Sequence, residues 1–538
     1  MTKPLALKLD SNEGALPPVA LLEALARLDP ETLRRYPDVS ALEATLAGRI
    51  GVSADRVIVT AGADDAIDRV CRAYLRARRT MLLAEPTFEM FDHFAQLAGG
   101  ALVRVPWPRG EFPLAAFRAR LDEDPAVIAI VSPNNPTGAT VSADDVRHLA
   151  QAAPAALVLL DHVYVEYADE DLTAAVIDLS NVVVLRTLSK AWGLAGCRVG
   201  YAVGSPDVVA ALRAAGAPYP VAAPSVALAL RQLAVGEAAL RAHVACVREE
   251  RTALGALLPA LGLEPLPSQG NFVLVECGIL ASFLTAALAA LGVVVRTFPG
   301  RPGLSSALRI TLPGDATAFA RLVAALETAL APEALLFDMD GVLADVQHSQ
   351  RASIATTAQS FGVPVTSAQV SAAIRTGDAA NDWIVTRRLI EGGGRQATLE
   401  DVTARFQSLY MSLREREVLI PGPSVLERLA ARRPLAIVTG RPRAEAQWFL
   451  ERAGIAHLFG TVVAMEDAAP KPDPAPVRLA LERLGVRRAW MVGDTPDDMH
   501  AAAQAGVLPL AVAAPGDEAP AGGARVLGEL TELLELLP

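Results

Sequence analysis

The chain has 538 residues, too many for one hydrophobic core, so two or three domains are expected. Hydrophobic residues make up 52% and charged residues 20%, which excludes a disordered or low-complexity protein. A net charge of −11 without any basic run argues against a nucleic-acid binder, and four scattered cysteines fit a reducing cytoplasm with no structural zinc.

The first residues, Met1-Thr2-Lys3, carry no signal-peptide pattern. A turn-rich start around Asp10–Gly14 precedes an apolar-periodic helix, Val19–Leu28, and Arg35-Tyr36-Pro37-Asp38 leads to a second helix with Ser40 as its N-cap. The strand Val57–Thr60 runs through Ala61-Gly62-Ala63-Asp64 into a helix, Asp65–Leu75. A small-residue turn at a helix N-terminus offers backbone N–H groups and a dipole to an anion. Met81–Ala84, Ala101–Val105, Val127–Val131, Leu157–Leu160 and Val182–Leu185 are further apolar runs between helical stretches. That alternation predicts an α/β domain with a largely parallel sheet, whose ligands sit beyond the carboxyl ends of the strands.

A long helical region, Ser225–Leu258, is followed by a smaller α/β portion, about 260–331, with strands Phe272–Val275, Val293–Arg296 and Leu308–Thr311 and a helix Asp315–Leu330. The uncharged stretch Ile279–Val295 is the one candidate membrane span, and it reads better as a helix followed by a buried strand in a soluble protein. The strand pattern restarts at Ala334–Phe337, so domains 1–331 and 334–538 are expected. The second holds a helix-like insert, about 346–417, broken at Gly392–Gly394. Strands Leu435–Val438 and Trp490–Val492 and a loop, Ala513–Arg525, complete it.

The residues after each strand carry the chemistry. Ala63 and Asp64 follow the first, Phe88 the second, Asn135 a later one, Asp161 and Tyr164 the next, and Thr187, Ser189, Lys190 and Arg198 the last. A lysine among small and hydroxyl residues past a buried strand suits a Schiff base, and the hydroxyls and Arg198 suit a phosphate. A buried acid, an aromatic face and hydroxyl donors complete what an electron-sink cofactor needs. Taken singly, each residue has a plain role as cap, turn or core; together, in this order, they form a set.

The motifs GADDAID, EPTFEMF, SPNNPTG, DHVYVEY, LRTLSKAWGLAGCRVG, QGNFVLV and LRITL resemble the fold-type I aminotransferases, most closely the histidinol-phosphate aminotransferases, over about residues 7–330. The resemblance implies pyridoxal phosphate carried on Lys190, Asp161 against the ring nitrogen, and Tyr164 and Asn135 on the ring hydroxyl. It implies Phe88 on the ring face and Ala63, Asp64, Thr187, Ser189 and Arg198 around the phosphate. Tyr36 would reach the phosphate of a partner subunit, so a homodimer is implied, and Asn12, Arg296 and Arg309 would line the substrate side. His162 stands where glutamate is usual, a neighbour of different charge that bears on the tuning of Asp161 and not on the chemistry. Aromatic and related aminotransferases share this shell, which leaves the substrate open.

In the second domain, Asp338 and Asp340 follow a strand at D-x-D spacing, where one carboxylate can attack and the other can protonate a leaving oxygen. Thr439 ends another strand, Lys471 lies in PKPDP, and Gly493-Asp494-Thr495-Pro496-Asp497-Asp498 ends a third. Oxygen donors of this kind suit Mg²⁺. Together these residues resemble the haloacid dehalogenase superfamily of phosphatases, over about 334–527, with a helical cap. The resemblance implies Asp338 as nucleophile, Asp340 as general acid and base, and Thr439 and Lys471 on the phosphoryl group. It implies Asp338, Asp494 and the main-chain carbonyl of Asp340 as magnesium ligands, with Asp498 in support. A bifunctional enzyme, a hydrolase of unrelated substrate, or a non-catalytic C-terminal module all remain open at this point.

Overall fold

A computed structural model describes residues 6–76, 79–376 and 381–537. Two compact units are distinguished, one comprising Leu7–Ala281 with Val294–Arg321, the other Ser282–Val293 with Leu322 onward.

The first unit is organised on a seven-stranded sheet in the order Val57–Thr60, Gly200–Val203, Val182–Thr187, Leu157–Asp161, Val127–Val131, Thr80–Glu85 and Ala101–Pro106. Gly200–Val203 runs antiparallel to both its neighbours, and the other pairs are parallel. Val127–Val131 and Leu157–Asp161 are buried throughout, as a sheet covered on both faces requires. The first polar side chain in Leu157–Asp161 therefore falls at its carboxyl end. Two local expectations are corrected. Ser40 does not cap its helix, Ser40–Ile50, because the Asp38 carboxylate two residues earlier accepts from Ser40 N at 2.9 Å. The long helical region is two helices, Ala223–Val235 and Glu237–Ala260, divided at Gly236.

A second sheet of five strands has the order Leu7–Leu9, Val293–Thr297, Ala307–Thr311, Phe272–Glu276 and Glu264–Pro265. Its antiparallel register sets Arg296 directly opposite Arg309. The stretch weighed as a membrane span is the helix Ala281–Ala290 and the strand Val293–Thr297. Among the described residues no helix is long and apolar enough to cross a membrane.

The other unit has a six-stranded parallel sheet in the order Phe459–Val463, Leu435–Val438, Ala334–Phe337, Ala489–Gly493, Leu508–Val512 and Val526–Leu527. Phe459–Val463 and Leu508–Val512 escape the sequence reading because a glycine interrupts the one and a proline the other. The insert forms helices Gln350–Ser360, Ser367–Arg375, Asp382–Gly392 and Leu399–Leu413 around Ile354, Val370, Phe406 and Tyr410. In the same unit Trp490 Nε1 donates to the carbonyl of Thr328 at 2.8 Å, with Phe283 edge-on to its ring.

A Cβ on Gly200 would stand 2.5 Å from the carbonyl carbon of Gly62 and 2.7 Å from Ala63 N, where backbone cannot yield as a side chain does. Gly200→Ala is therefore expected to cost about 1–3 kcal/mol. Chemical denaturation reads this as a lower midpoint, and an unchanged midpoint would refute the tight approach.

Candidate active sites

One cavity of the first unit is lined by Asn12, Ala63, Asp64, Phe88, Asn135, Asp161, Tyr164, Thr187, Ser189, Lys190, Arg198, Arg296 and Arg309. Every residue expected there comes together except Tyr36, which is 79% exposed and stacks on Tyr219 with ring centroids 4.5 Å apart. Lys190 Nζ donates to the carbonyl of Ser11 at 3.2 Å and lies 5.5 Å from the centre of the Tyr164 ring. The Tyr164 hydroxyl accepts from Asn12 Nδ2 at 3.0 Å. Asn12 is buried at φ 53° and is held by Thr311, whose hydroxyl donates to its Oδ1 at 2.8 Å.

At the phosphate end, the helix Gly62–Tyr74 begins without a side-chain cap, leaving N–H groups for an anion. Arg198, at φ 52°, donates from Nη2 to Asp64 Oδ2 at 3.0 Å. A Cβ on Gly62 would come within 2.7 Å of that nitrogen. Thr187 Oγ1 accepts from Ser189 N at 3.1 Å, while Ser189 Oγ is buried without a partner.

Asp161 is 3% exposed, its Oδ1 accepts a long 3.4 Å bond from Val163 N, and burial pushes its carboxyl up to about 7. His162 beside it is pushed down to about 4 by burial and is neutral near pH 7. Its Nδ1 bonds the carbonyl of Ser132 and its Nε2 accepts from Leu172 N at 3.2 Å. Both ring nitrogens thus serve the backbone. On the substrate side, Arg309 donates to Asn135 Oδ1 and to the carbonyl of Asp10, each at 2.6 Å, and its Nε is buried without a partner. Burial, with Arg296 opposite, holds its guanidinium below its usual range. Like charges facing across a ladder repel, which a shared anion relieves. An uncapped helix start, an orphaned hydroxyl and a buried acid lacking a cation fit pyridoxal phosphate.

In the other unit, Asp338, Asp340, Thr439, Lys471 and Asp494 line one cavity. Carboxylate oxygens of Asp338, Asp494 and Asp498 lie within 4.8 Å of one another. Lys471 Nζ donates to Asp338 Oδ1 at 2.7 Å, to Asp498 Oδ1 at 2.5 Å and to the carbonyl of Val438 at 3.0 Å. Burial pushes Asp338 up to about 7 against the pull of Lys471, and raises Asp494 well above the carboxylate range. Asp494 Oδ1 is buried without a partner, and a Cβ on Gly341 would stand 2.2 Å from its Oδ2. Three carboxylates against one lysine, with an orphaned oxygen, fit a small hard cation such as Mg²⁺. The Asp340 carboxylate is engaged elsewhere, accepting from Arg441 Nε at 2.7 Å.

Arg441, 2% exposed, was missed in the sequence although it follows Thr439-Gly440 directly. Its Nη1 donates to Glu417 Oε2 at 2.9 Å. Gln350, its amide oriented to suit its neighbours, donates to Asp340 and Asp382 at 3.2 and 3.3 Å and accepts from Arg441 at 3.1 Å. Asp382 and Glu445 also line this cavity, and Glu445 accepts from Gln407 Nε2 at 2.9 Å. No motif marks these residues. In the first unit, Glu89 and Arg301 were missed; Glu89 accepts from Arg296 at 3.0 Å, and Arg301 donates to the carbonyl of Thr87 at 3.0 Å.

Residues 6–326 match the family model of aminotransferase class I and II, and residues 332–506 that of haloacid dehalogenase-like hydrolase. An aromatic amino acid aminotransferase of Corynebacterium jeikeium is 37% identical over 311 residues, covering 56% of this chain and 83% of that protein. A histidinol-phosphate aminotransferase of Stenotrophomonas maltophilia is 37% identical over 309 residues, covering 54% and 84%. An imidazoleglycerol-phosphate dehydratase of Phytophthora nicotianae is 40% identical over 237 residues, covering 38% of this chain and only about half, 52%, of that protein. Among solved structures, histidinol-phosphate aminotransferase from Sinorhizobium meliloti in complex with pyridoxal-5'-phosphate superposes with a TM-score of 0.56 at 28% identity, covering 61% of this chain and 91% of that one. The cavity around Lys190 and the span of these matches lead to one conclusion: the chain belongs to the aminotransferase class I and II family, followed by a haloacid dehalogenase-like hydrolase domain.

Proposed function

We propose that residues 1–331 transfer the amino group of L-glutamate to imidazole acetol phosphate, giving 2-oxoglutarate and L-histidinol phosphate in histidine biosynthesis. Residues 334–538 then act as a Mg²⁺-dependent phosphatase on that product. The observation that carries the reading is Arg296 facing Arg309 in the cavity of Lys190, two cations in register for substrates with anionic groups. Relatives named for two enzymes of histidine synthesis support it. We place the enzyme in the cytoplasm as a homodimer in which Tyr36 completes the partner's site.

Pyridoxal phosphate, when bound, supplies the electron sink for a substrate carbanion. Asp161 stabilises a protonated ring nitrogen, and Tyr164 and Asn135 orient the ring through its hydroxyl. Phe88 covers its face, while Thr187, Ser189, Arg198 and the helix start at Ala63 and Asp64 hold the phosphate. Lys190 Nζ would carry the proton between the substrate carbon and the cofactor, and Arg309 would hold a substrate carboxylate.

In the hydrolase, an Asp338 oxygen bonds to phosphorus as the bond from phosphorus to the alcohol oxygen breaks. The alcohol oxygen takes the bonding pair and a proton from the Asp340 carboxyl. Asp340 then accepts a proton from the water that hydrolyses the phosphoryl-aspartate, restoring Asp338 and releasing phosphate. Thr439 and Lys471 steady the phosphoryl oxygens, and Asp338 and Asp494 would hold Mg²⁺, which would supply positive charge there.

A second reading, an aromatic amino acid aminotransferase, is favoured by the Corynebacterium relative and by Phe88 and Phe298 in the cavity wall. The test is the purified chain with pyridoxal phosphate and 2-oxoglutarate, offered L-histidinol phosphate or L-phenylalanine. A higher kcat/KM for the phosphate ester is expected, and preference for phenylalanine would replace this reading with the second. Lys190→Ala is expected to lower transamination by about a thousandfold or more. A chain that stays colourless with the cofactor, and whose Lys190 borohydride does not label, would overturn the assignment of that lysine.

Asp338→Asn is expected to lower Mg²⁺-dependent phosphate release from p-nitrophenyl phosphate by about a thousandfold; retention of that release would remove Asp338 as nucleophile.

The titration of Asp161 gives a further check. Its folded value near 7 lies above the unfolded one, about 3.9, so the folded chain binds the proton more tightly. Stability of the cofactor-free chain is therefore lost as pH rises from about 4 to 7 and levels off above. Cofactor-free Asp161→Asn should gain in melting temperature over the parent between pH 5 and 8; a difference that does not grow with pH would contradict this.

A further inference from the structure

The hydrolase cavity has two ends, and their charges differ. Lys471, Thr439 and the Asp338 carboxylate mark the phosphoryl end. Asp340, which gives its proton to the leaving oxygen, marks the end where the alcohol lies. Around Asp340 stand Asp382, joined to it through the Gln350 amide, and Glu445, both lining the same cavity. Two cations also line it there, Arg441 and Arg351, and both are engaged. Arg441 is held by Asp340 and Glu417, and Arg351 pairs with Asp517 and donates to Ser371 Oγ at 3.2 Å. Among the described residues, neither Asp382 nor Glu445 is ion-paired with a lysine or arginine; Glu445 has only the Gln407 amide, and Asp382 only that of Gln350. Trp383 and Phe406 complete this wall.

We infer that this end of the cavity selects phosphate monoesters of alcohols that carry a protonated nitrogen, and that Asp382 and Glu445 read that charge. The inference rests on the phosphatase reading above and names its substrate class. Two carboxylates that have lost much of their water and make no ion pair are stabilised when an ammonium or imidazolium enters. Burial raises both, Asp382 to about 7, which is the strain an incoming cation relieves. An alcohol bearing a carboxylate, such as glycolate, meets like charge at the same place and is rejected. A product of the aminotransferase, being an amine, satisfies this filter.

The test uses the full chain with Mg²⁺ and measures phosphate release from L-histidinol phosphate, 2-aminoethyl phosphate, 2-phosphoglycolate and p-nitrophenyl phosphate. The parent is expected to favour each of the two cationic esters over 2-phosphoglycolate by about tenfold or more in kcat/KM. Asp382→Asn and Glu445→Gln are each expected to lower that ratio by about tenfold, and Asp382→Glu to restore most of it. Because the readout is a ratio between substrates on one protein sample, a general loss of folded enzyme does not imitate it, and Glu445→Gln stands in if Asp382→Asn is insoluble. A parent that prefers 2-phosphoglycolate, or variants in which both substrates fall equally, would overturn the charge selection while leaving the phosphatase intact. No Mg²⁺-dependent release from any of the four esters would overturn the phosphatase reading, and this inference with it.

Discussion

A carboxylate buried at the carboxyl end of a parallel strand has lost its water and needs a positive charge, and each unit is built around one such group. Asp338 follows Ala334–Phe337, a strand buried at every position, and Lys471 reaches it from elsewhere in the chain at 2.7 Å. Asp161 ends Leu157–Asp161, equally buried, and receives only a long bond from the backbone of Val163. One acid thus carries its counter-charge within the chain, and the other is left for a ligand to complete. Around both, orphaned polar atoms face the same way: Ser189 Oγ and Arg309 Nε in one cavity, Asp494 Oδ1 in the other. A buried polar atom without a partner is costly, so these groups define what each cavity must receive.

Backbone geometry keeps the charged groups close. Glycines stand where a side chain would collide: Gly62 under the Arg198 guanidinium, Gly200 against the turn at Gly62 and Ala63, and Gly341 beside the Asp494 carboxylate. At Gly62 and Gly341 the positive φ also calls for glycine. The antiparallel register that opposes Arg296 and Arg309 is another such constraint, since a slip of one residue would turn either arginine to the opposite face of the sheet. The sheet thereby concentrates positive charge at the substrate side, with Glu89 neutralising part of it.

The helical insert supplies the hydrolase with what its motifs lack. Arg441 leaves the core strand Leu435–Val438 by way of Thr439 and Gly440 and is clasped by Asp340 and by Glu417, itself held by Ser349 Oγ at 2.9 Å. The acid of D-x-D is thereby fixed to the insert, and the same helices bring Gln350 and Asp382 beside it. Core and insert divide the cavity wall: the core contributes Asp338, Thr439, Lys471 and Asp494, and the insert contributes Gln350, Asp382 and Phe406.

Much of this was legible in the chain by itself. An apolar run in a covered parallel strand must end where the sheet ends, so the polar residues that follow, from Asp64 to Arg198 and from Asp338 to Asp494, could be assigned to the sheet edge before any coordinates. Two of the strands that escaped, Phe459–Val463 and Leu508–Val512, contain a glycine and a proline that break the local pattern but are tolerated in the sheet. Ser40 was misread because its competitor for the helix N-terminus, Asp38, lies outside the usual capping position. The neutrality of His162, the facing of Arg296 and Arg309, the clasp of Arg441 on Asp340 and the gathering of Asp382 and Glu445 were decided by tertiary structure alone. Each depends on which distant residues share a face or lose their water together, and burial and register of that kind belong to the packed chain, not to the spacing of neighbours along it.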